Sequence, residues 1–274
     1  MRIFLAGGTG VLGSRLLPAL VDAGHEVTAT TRRAESLTRL AALGARPVVV
    51  DVYDSDRLAG VVADSGAELV LHELTDLGEY DLDANARLRR EGTANLVSAA
   101  TAAGIDRMIV QSIAWVFPDG NTPAHETEPI IPGTAVDEME RLAASLPHAT
   151  VLRYGMLYGP GTWYERGGRI ARQVAEGALA ATPAVTSLVH VDDAVAATVL
   201  AIGWPDGVYH VVDDEPAAGT EWLPVYAAAI GAPAPPSAPL APGAPAGRPI
   251  SNAKARAAGW SPAYASWRVG FRDT

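Results

Sequence analysis

The sequence predicts an α/β fold: a doubly wound parallel sheet followed by a smaller C-terminal lobe. Three observations carry this. Strand-like and helix-like segments alternate through the first half of the chain. The strands are short continuous apolar runs, such as Val48–Val50 and Leu69–Leu71, which suits a sheet covered on both faces better than a one-sided sheet. A glycine-rich turn, Ala6-Gly7-Gly8-Thr9-Gly10-Val11-Leu12-Gly13, joins the first strand directly to the first helix.

The elements follow in order. Arg2–Ala6 is the first strand, and Ser14–Asp22 the first helix, with Leu16, Leu17, Leu20 and Val21 on one side. Pro18 is expected near the helix start, where proline is better tolerated. Glu26–Thr30 is a strand, Glu35–Leu43 a helix, Pro47–Val50 a strand, Asp54–Ala63 a helix and Glu68–Leu71 a strand. A long helix, Asp83–Ala103, ends at Gly104, a natural C-cap. Arg107–Gln111 is the fifth strand. After about Asp119 the rhythm loosens, and Pro118–Gly133 reads as a long loop over a site. Helices are expected at Ala135–Ala144, Arg166–Glu176, Asp192–Ile202 and Glu221–Ile230, with strands at Ala149–Arg153, Thr186–Val189 and Val208–Val212. Ala232–Pro249, dense in Pro and Ala, reads as an ordered wrap or semi-rigid tether. The expected division is residues 1–160 as the sheet domain, with 181–204 returning to it, and 161–180 plus 205–274 as the smaller lobe.

Composition narrows the function. The 274 residues are 49% hydrophobic and 19% charged, enough for a substantial core. A net charge of −10 argues against nucleic-acid or anionic-membrane partners, because a phosphate backbone needs a basic face. With no cysteine there is no disulfide frame, thiolate metal site or cysteine nucleophile. The six histidines are scattered without a metal-ligand spacing, so no metal is expected. The opening residues already read as a strand, and no apolar run reaches the ~18 residues of a membrane span. The expectation is a cytoplasmic monomer or homodimer acting on a small-molecule substrate.

The glycine turn is a phosphate cradle in its required strand–turn–helix setting, which makes the sheet a Rossmann sheet. Gly7 allows the tight turn, Gly10 lets a pyrophosphate approach the backbone, and Gly13 lets helix and strand pack closely. Free N–H groups and the helix dipole then face the anion. The end of the second strand reads Thr30-Thr31-Arg32-Arg33, without the acid that would bond a ribose 2′-OH. Two guanidiniums there suit a 2′-phosphate, so the expected cofactor is NADP(H). Asp51, after the third strand, is placed for the adenine amino group, or for a turn cap. Thr9, Val11, Leu12 and Val52 are expected around the same cofactor, as are Leu74, Thr75, Gln111 and Tyr154 farther along.

The chain resembles an extended short-chain dehydrogenase/reductase of the NAD-dependent epimerase/dehydratase type. The resemblance rests on the GxxGxxG spacing and on Glu91-Gly92-Thr93-Ala94-Asn95-Leu96. It continues through Leu157-Tyr158-Gly159-Pro160-Gly161, Val189-His190-Val191-Asp192-Asp193-Ala194, and Lys254-Ala255-Arg256 with Gly259-Trp260-Ser261-Pro262. The family's chemistry uses Tyr-x-x-x-Lys with an upstream Ser or Thr. Here the corresponding stretch reads Pro132-Gly133-Thr134-Ala135-Val136-Asp137-Glu138-Met139-Glu140, and the one lysine, Lys254, is far away. Counting back from Phe117, the usual hydroxyl position falls on Ile113, with Ser112 one residue early. The resemblance therefore implies an atypical member without the usual proton-transfer pair.

Replacement donors are sought by position. Ser112, Tyr154, Tyr158 and Tyr164 fall at or beyond the carboxyl ends of the fifth and sixth strands, where such folds bind ligands. Tyr158 is also the tyrosine of the family's structural turn, and Tyr154 and Tyr164 suit pocket walls. Glu73, Asp76 and Glu79 follow the fourth strand as solvated loop carboxylates, Glu73 also being a candidate base. His125 is the one histidine with catalytic potential, beside Glu126, and His190 reads as structural. Trp115, Phe117, Met156 and Trp163, with His125, supply the expected substrate surface. Few basic groups lie there, which favours an apolar substrate over a sugar nucleotide. The function expected is an NADP(H)-dependent reductase of a carbonyl or conjugated small molecule. An isomerase, epimerase or lyase on the same fold, or a non-catalytic NADP(H) sensor, is the alternative.

Overall fold

The computed structural model describes residues 1–78 and 80–273, and the chain folds as two compact units. One comprises Met1–Ser112, Pro132–Leu152 and Thr198–Val208; the other comprises Ile113–Ile131, Arg153–Ala197 and Tyr209–Thr274.

The first part of the chain runs β1 (Arg2–Ala6), α1 (Gly13–Asp22), β2 (Glu26–Thr31), α2 (Leu37–Ala42), β3 (Arg46–Val49), α3 (Ser55–Ser65) and β4 (Leu69–His72). Then come α4 (Leu82–Arg87), α5 (Thr93–Ala102), β5 (Arg107–Ile113), α6 (Ala135–Ala143) and β6 (His148–Tyr154). Later elements are β7 (Met156–Tyr158), α7 (Arg169–Ala175), β8 (Val185–Thr186), β9 (Leu188–His190), α8 (Val191–Ala201) and β10 (Gly207–Val211). The chain closes with β11 (Ala217–Ala218), α9 (Gly219–Ala229), α10 (Ala253–Ala257) and α11 (Trp267–Gly270).

Seven strands form one sheet in the order β10-β6-β5-β4-β1-β2-β3. The β3-β2-β1-β4-β5 pairings are parallel, with Phe4 opposite Thr28 on one side and Val70 on the other. Phe4, Leu5, Leu69, Val70, Leu71, Ile109 and Val110 are fully enclosed, as continuous apolar strands of a two-faced sheet must be. The order of strands reverses between β1 and β4, which is where ligands bind in doubly wound sheets.

Helix α1 buries Leu16, Leu17 and Leu20, each contributing about 1.5–3 kcal/mol through burial. Pro18 lies inside that helix, not in its first turn. The long helix predicted for 83–103 runs from Leu82 to Ala102 but carries a π-type turn at Leu88–Gly92. Gly92 gives Leu88 and Val52 room there, since a Cβ would stand 2.8 Å from Leu88 Cδ1 and 3.2 Å from Val52 Cγ1 and would shift those side chains. The predicted strand 186–189 is two strands: β8 pairs antiparallel with β11, and β9 pairs parallel with β7. Ser187 separates them, its hydroxyl accepting a hydrogen bond from Ile250 N–H.

The second unit has its own core, built on Tyr158, Leu188, Leu223, Tyr226, Trp267 and Phe271. The Pro/Ala-rich stretch is an ordered wrap. Asp119 accepts from Ala246 N–H and Gly247 N–H, and Arg248 binds Glu128 at 2.8 Å and the Thr122 carbonyl at 2.7 Å. These bonds explain why residues 113–131 belong with the C-terminal segment and not with the sheet domain expected to reach residue 160. Likewise only 198–208, and not all of 181–204, returns to the first unit. Among the described residues, no helix is long and apolar enough to cross a membrane.

Candidate functional site

The glycine turn has the geometry of a cradle. Gly7 adopts φ +99°, and a Cβ there would stand 2.7 Å from the Glu73 carbonyl oxygen. Gly7 N–H donates to Thr30 Oγ1 at 3.2 Å, which ties the turn to β2. A Cβ on Gly13 would collide with the Gly7 carbonyl, so α1 can enter only through glycine. Gly10 differs: it is exposed, and its missing Cβ would meet only Gly7 O, at 3.3 Å. Its outward face is left open. No side chain caps the N-terminus of α1, so its dipole end is available to an anion. Val11 is exposed and Thr9 half-buried, whereas Leu12 is buried and can offer a ligand only its backbone.

Beyond β2, Arg32 and Arg33 are exposed. Arg32 lies 3.5 Å from Asp76, and Arg33 lies 3.8 Å from Glu35. A third guanidinium, which sequence reasoning missed, belongs to this edge. Arg39 on α2 donates to the Thr9 carbonyl at 3.4 Å, within the cradle itself. Its spacing from the motif gave no signal; only the packing of α2 brings it there. Asp51 uses Oδ1 to accept from Tyr53 N–H at 3.0 Å, a turn cap. Val52 is buried, and its carbonyl accepts from Asn95 Nδ2.

The end of β4 departs most from expectation. Glu73 is not a solvated loop carboxylate: it is 4% exposed, and neither carboxyl oxygen has a hydrogen-bond partner among the described residues. Burial pushes its carboxyl up to about 8. Neighbouring His72 is wholly buried, bonds Thr93 Oγ1 at 2.9 Å and accepts from Leu74 N–H, and burial lowers it to about 4. Leu74 is half-buried and Thr75 exposed, and Gln111 Nε2 donates to the Leu74 carbonyl at 2.9 Å. Glu79 lies outside the described residues.

The candidate proton donors are all enclosed. Ser112 donates its hydroxyl to Glu140 Oε1 at 2.5 Å, so its hydrogen is committed to a buried carboxylate on α6. Tyr158 is a core residue of the second unit, packed edge-on against Phe271 and His190, and its hydroxyl touches Gly270. Its hydroxyl has no hydrogen-bond partner, and burial raises it far above the tyrosine range. Tyr164 packs on Trp222 and Tyr226, whose hydroxyl donates to the Tyr164 carbonyl. Tyr154 is 2% exposed at the end of β6.

The stretch 132–140 holds neither tyrosine nor lysine, and Val136 within it is buried on α6. Lys254 sits over the Tyr209 ring at 4.2 Å in the second unit. Trp115 is half exposed. Phe117 is instead buried against His210 and Arg153, and is not an open pocket wall. Met156 and Trp163 are half-buried, and both pack on the second unit's core. His125 is exposed, its backbone N–H donating to Glu128; Glu126 is enclosed, accepting from His210 N–H. His190 is structural, as read: it accepts from Asp192 N–H and stacks on Tyr264.

The model of the NAD dependent epimerase/dehydratase family matches residues 3–212. Among curated proteins, the chain is 42% identical to the 3-diazoavenalumate denitrifying reductase of a Streptomyces species, over 99% of both chains. It is 35% identical to a 4-hydroxy-2-methyl-3-oxo-4-farnesyl-3,4-dihydroquinoline-1-oxide ketoreductase of Stigmatella aurantiaca, over 44% of this chain and 36% of that one. Among solved structures, the Thermus thermophilus UDP-glucose 4-epimerase complex with NAD superposes with a TM-score of 0.82 at 24% identity, covering 100% of this chain and 97% of the other.

Proposed function

The chain belongs to the NAD dependent epimerase/dehydratase family, and from that premise we propose that it is an NADP(H)-dependent reductase whose acceptor is an aromatic diazo compound. The observation that carries the reading is the paired one: an intact glycine cradle and a stretch, 132–140, that holds neither tyrosine nor lysine. The Ser112 hydroxyl, for its part, is engaged as a hydrogen-bond donor to Glu140.

Reducing a carbonyl to an alcohol requires a proton at oxygen, which an acid must supply. Replacing dinitrogen on an arene does not. Arenediazonium plus hydride gives arene plus N2, with the C–N bond broken and no proton drawn from the protein. The bound cofactor supplies that hydride. This chemistry therefore does not call on a Tyr and Lys as a proton-transfer pair. The 42% relative that spans the whole chain, named for a denitrifying reduction, supports the same reading.

The residues present fit NADP(H). Gly7 and Gly13 let the turn close on its own backbone, Gly10 leaves room for the pyrophosphate, and the uncapped start of α1 is free to face it. Arg32, Arg33 and Arg39 suit the 2′-phosphate, with Arg32 exchanging its Asp76 partner for the stronger dianion. A carbonyl substrate is the second reading, favoured by the ketoreductase relative.

The test is NADPH oxidation with an arenediazonium salt, followed together with N2 release, and corrected for the spontaneous reaction with the Gly10→Val protein. One N2 per NADPH, catalysed, is expected. Turnover of ketones or enones without diazonium reduction would transfer the reading to the carbonyl class. No NADPH consumption with either would overturn the reductase reading in favour of isomerisation or cofactor sensing.

A further inference from the structure

Glu73 has a backbone built into the cradle and a side chain with nothing to hold. Its N–H donates to the Ala6 carbonyl at 2.9 Å, and its own carbonyl occupies the space that a Gly7 Cβ would need. Its two carboxyl oxygens are sealed from solvent and lack hydrogen-bond partners among the described residues. The groups around it carry no charge to settle it. β1 and its turn bring Ala6 and Gly7; β5 brings Gln111, whose amide is used on Leu74. On its own strand, His72 is neutral above about pH 4 and bonded to Thr93. Burial alone drives the carboxyl upward, with no neighbouring charge contributing. An apolar side chain would serve packing better here, so the acid needs another reason.

We propose that Glu73 is a positioning residue of the cofactor site, and that the dinucleotide binds tightly only while the Glu73 carboxyl carries its proton. The inference rests on the cradle holding NADP(H). The neutral acid lets β4 press against Gly7 and keep the turn closed. The ionised acid sets a poorly screened negative charge behind a turn that must receive a pyrophosphate. Hydrating that charge requires the turn to open, which moves Gly7. By linkage, cofactor binding at high pH draws a proton onto Glu73.

The experiment is calorimetric titration with NADPH from pH 7.0 to 9.5, in two buffers of different ionisation enthalpy. Over this range the cofactor's phosphates are already ionised. Affinity should fall about tenfold, with up to one proton taken up per NADPH near pH 9. Glu73→Gln should remove both the fall and the proton uptake, and Glu73→Leu serves the same purpose if the glutamine variant folds poorly. A flat wild-type profile, or a fall that persists in both variants, would overturn the proposal. Failure to bind NADPH even at pH 7 would overturn the cofactor reading beneath it.

Discussion

Two glycines three residues apart should fail in opposite ways. In Gly13→Ala the new methyl collides with the Gly7 carbonyl oxygen, and it also stands 2.9 Å from Gly7 C and 3.0 Å from Gly8 Cα. All three are backbone atoms of one tight turn, so no flexible side chain can move aside. Overpacking of this kind costs about 1–3 kcal/mol, and an all-backbone obstacle places it near 3. For a chain of this size that is roughly 6–12 °C in Tm. In Gly10→Ala the nearest atom is 3.3 Å away and the backbone is not left-handed, so Tm should move by less than about 2 °C. Its methyl instead points at the open face of the cradle, and NADPH affinity should fall at least tenfold, about 1.4 kcal/mol. Thermal denaturation and calorimetric titration of both proteins make the assay. A Gly13→Ala protein as stable as the parent would refute the packing argument. A stable Gly10→Ala protein with parental NADPH affinity would refute the placement of the cofactor.

Three further outcomes are expected. Because the Glu73 carboxyl is raised from 4.5 to about 8, the folded state holds a proton that the unfolded state lacks between those pH values. Stability should therefore fall as pH rises from about 4.5 to 8 and level off above, at up to about 1.4 kcal/mol per pH unit from this one group. Urea unfolding across pH 5–8.5 should show that slope reduced in Glu73→Leu, and an unchanged slope would contradict the burial argument. Tyr158→Phe removes a buried hydroxyl with no partner, so it should leave Tm unchanged or higher and turnover within a few-fold; a 10²-fold drop in kcat would make Tyr158 the proton donor after all. Arg32→Asp should erase the preference for NADPH over NADH in calorimetric titration, whereas a retained preference would move phosphate recognition to Arg33 and Arg39.

Much of this was legible from the residues in order. Apolar runs at β1, β4 and β5 read as interior strands, and Gly7, Gly10 and Gly13 between a strand and a helix read as a phosphate turn. The absence of Tyr and Lys from 132–140 is likewise a plain statement of composition. These features are local: each depends on spacing within a dozen residues, which the chain carries whatever surrounds it.

What only the tertiary structure decided involves distance along the chain. Glu73 reads as a loop acid because the residues after a strand are usually wet; it is buried because β4 ends against Gly7, 66 residues earlier in sequence. Ser112 reads as an available hydroxyl until α6 brings Glu140 to it. Tyr158 and Tyr164 read as site tyrosines until α9 and α11 close over them. Arg39 enters the cradle only because α2 packs beside it. Spacing sets which residues share an element, but burial and hydrogen-bond partners depend on which elements meet, and that is settled by the packing of the whole chain.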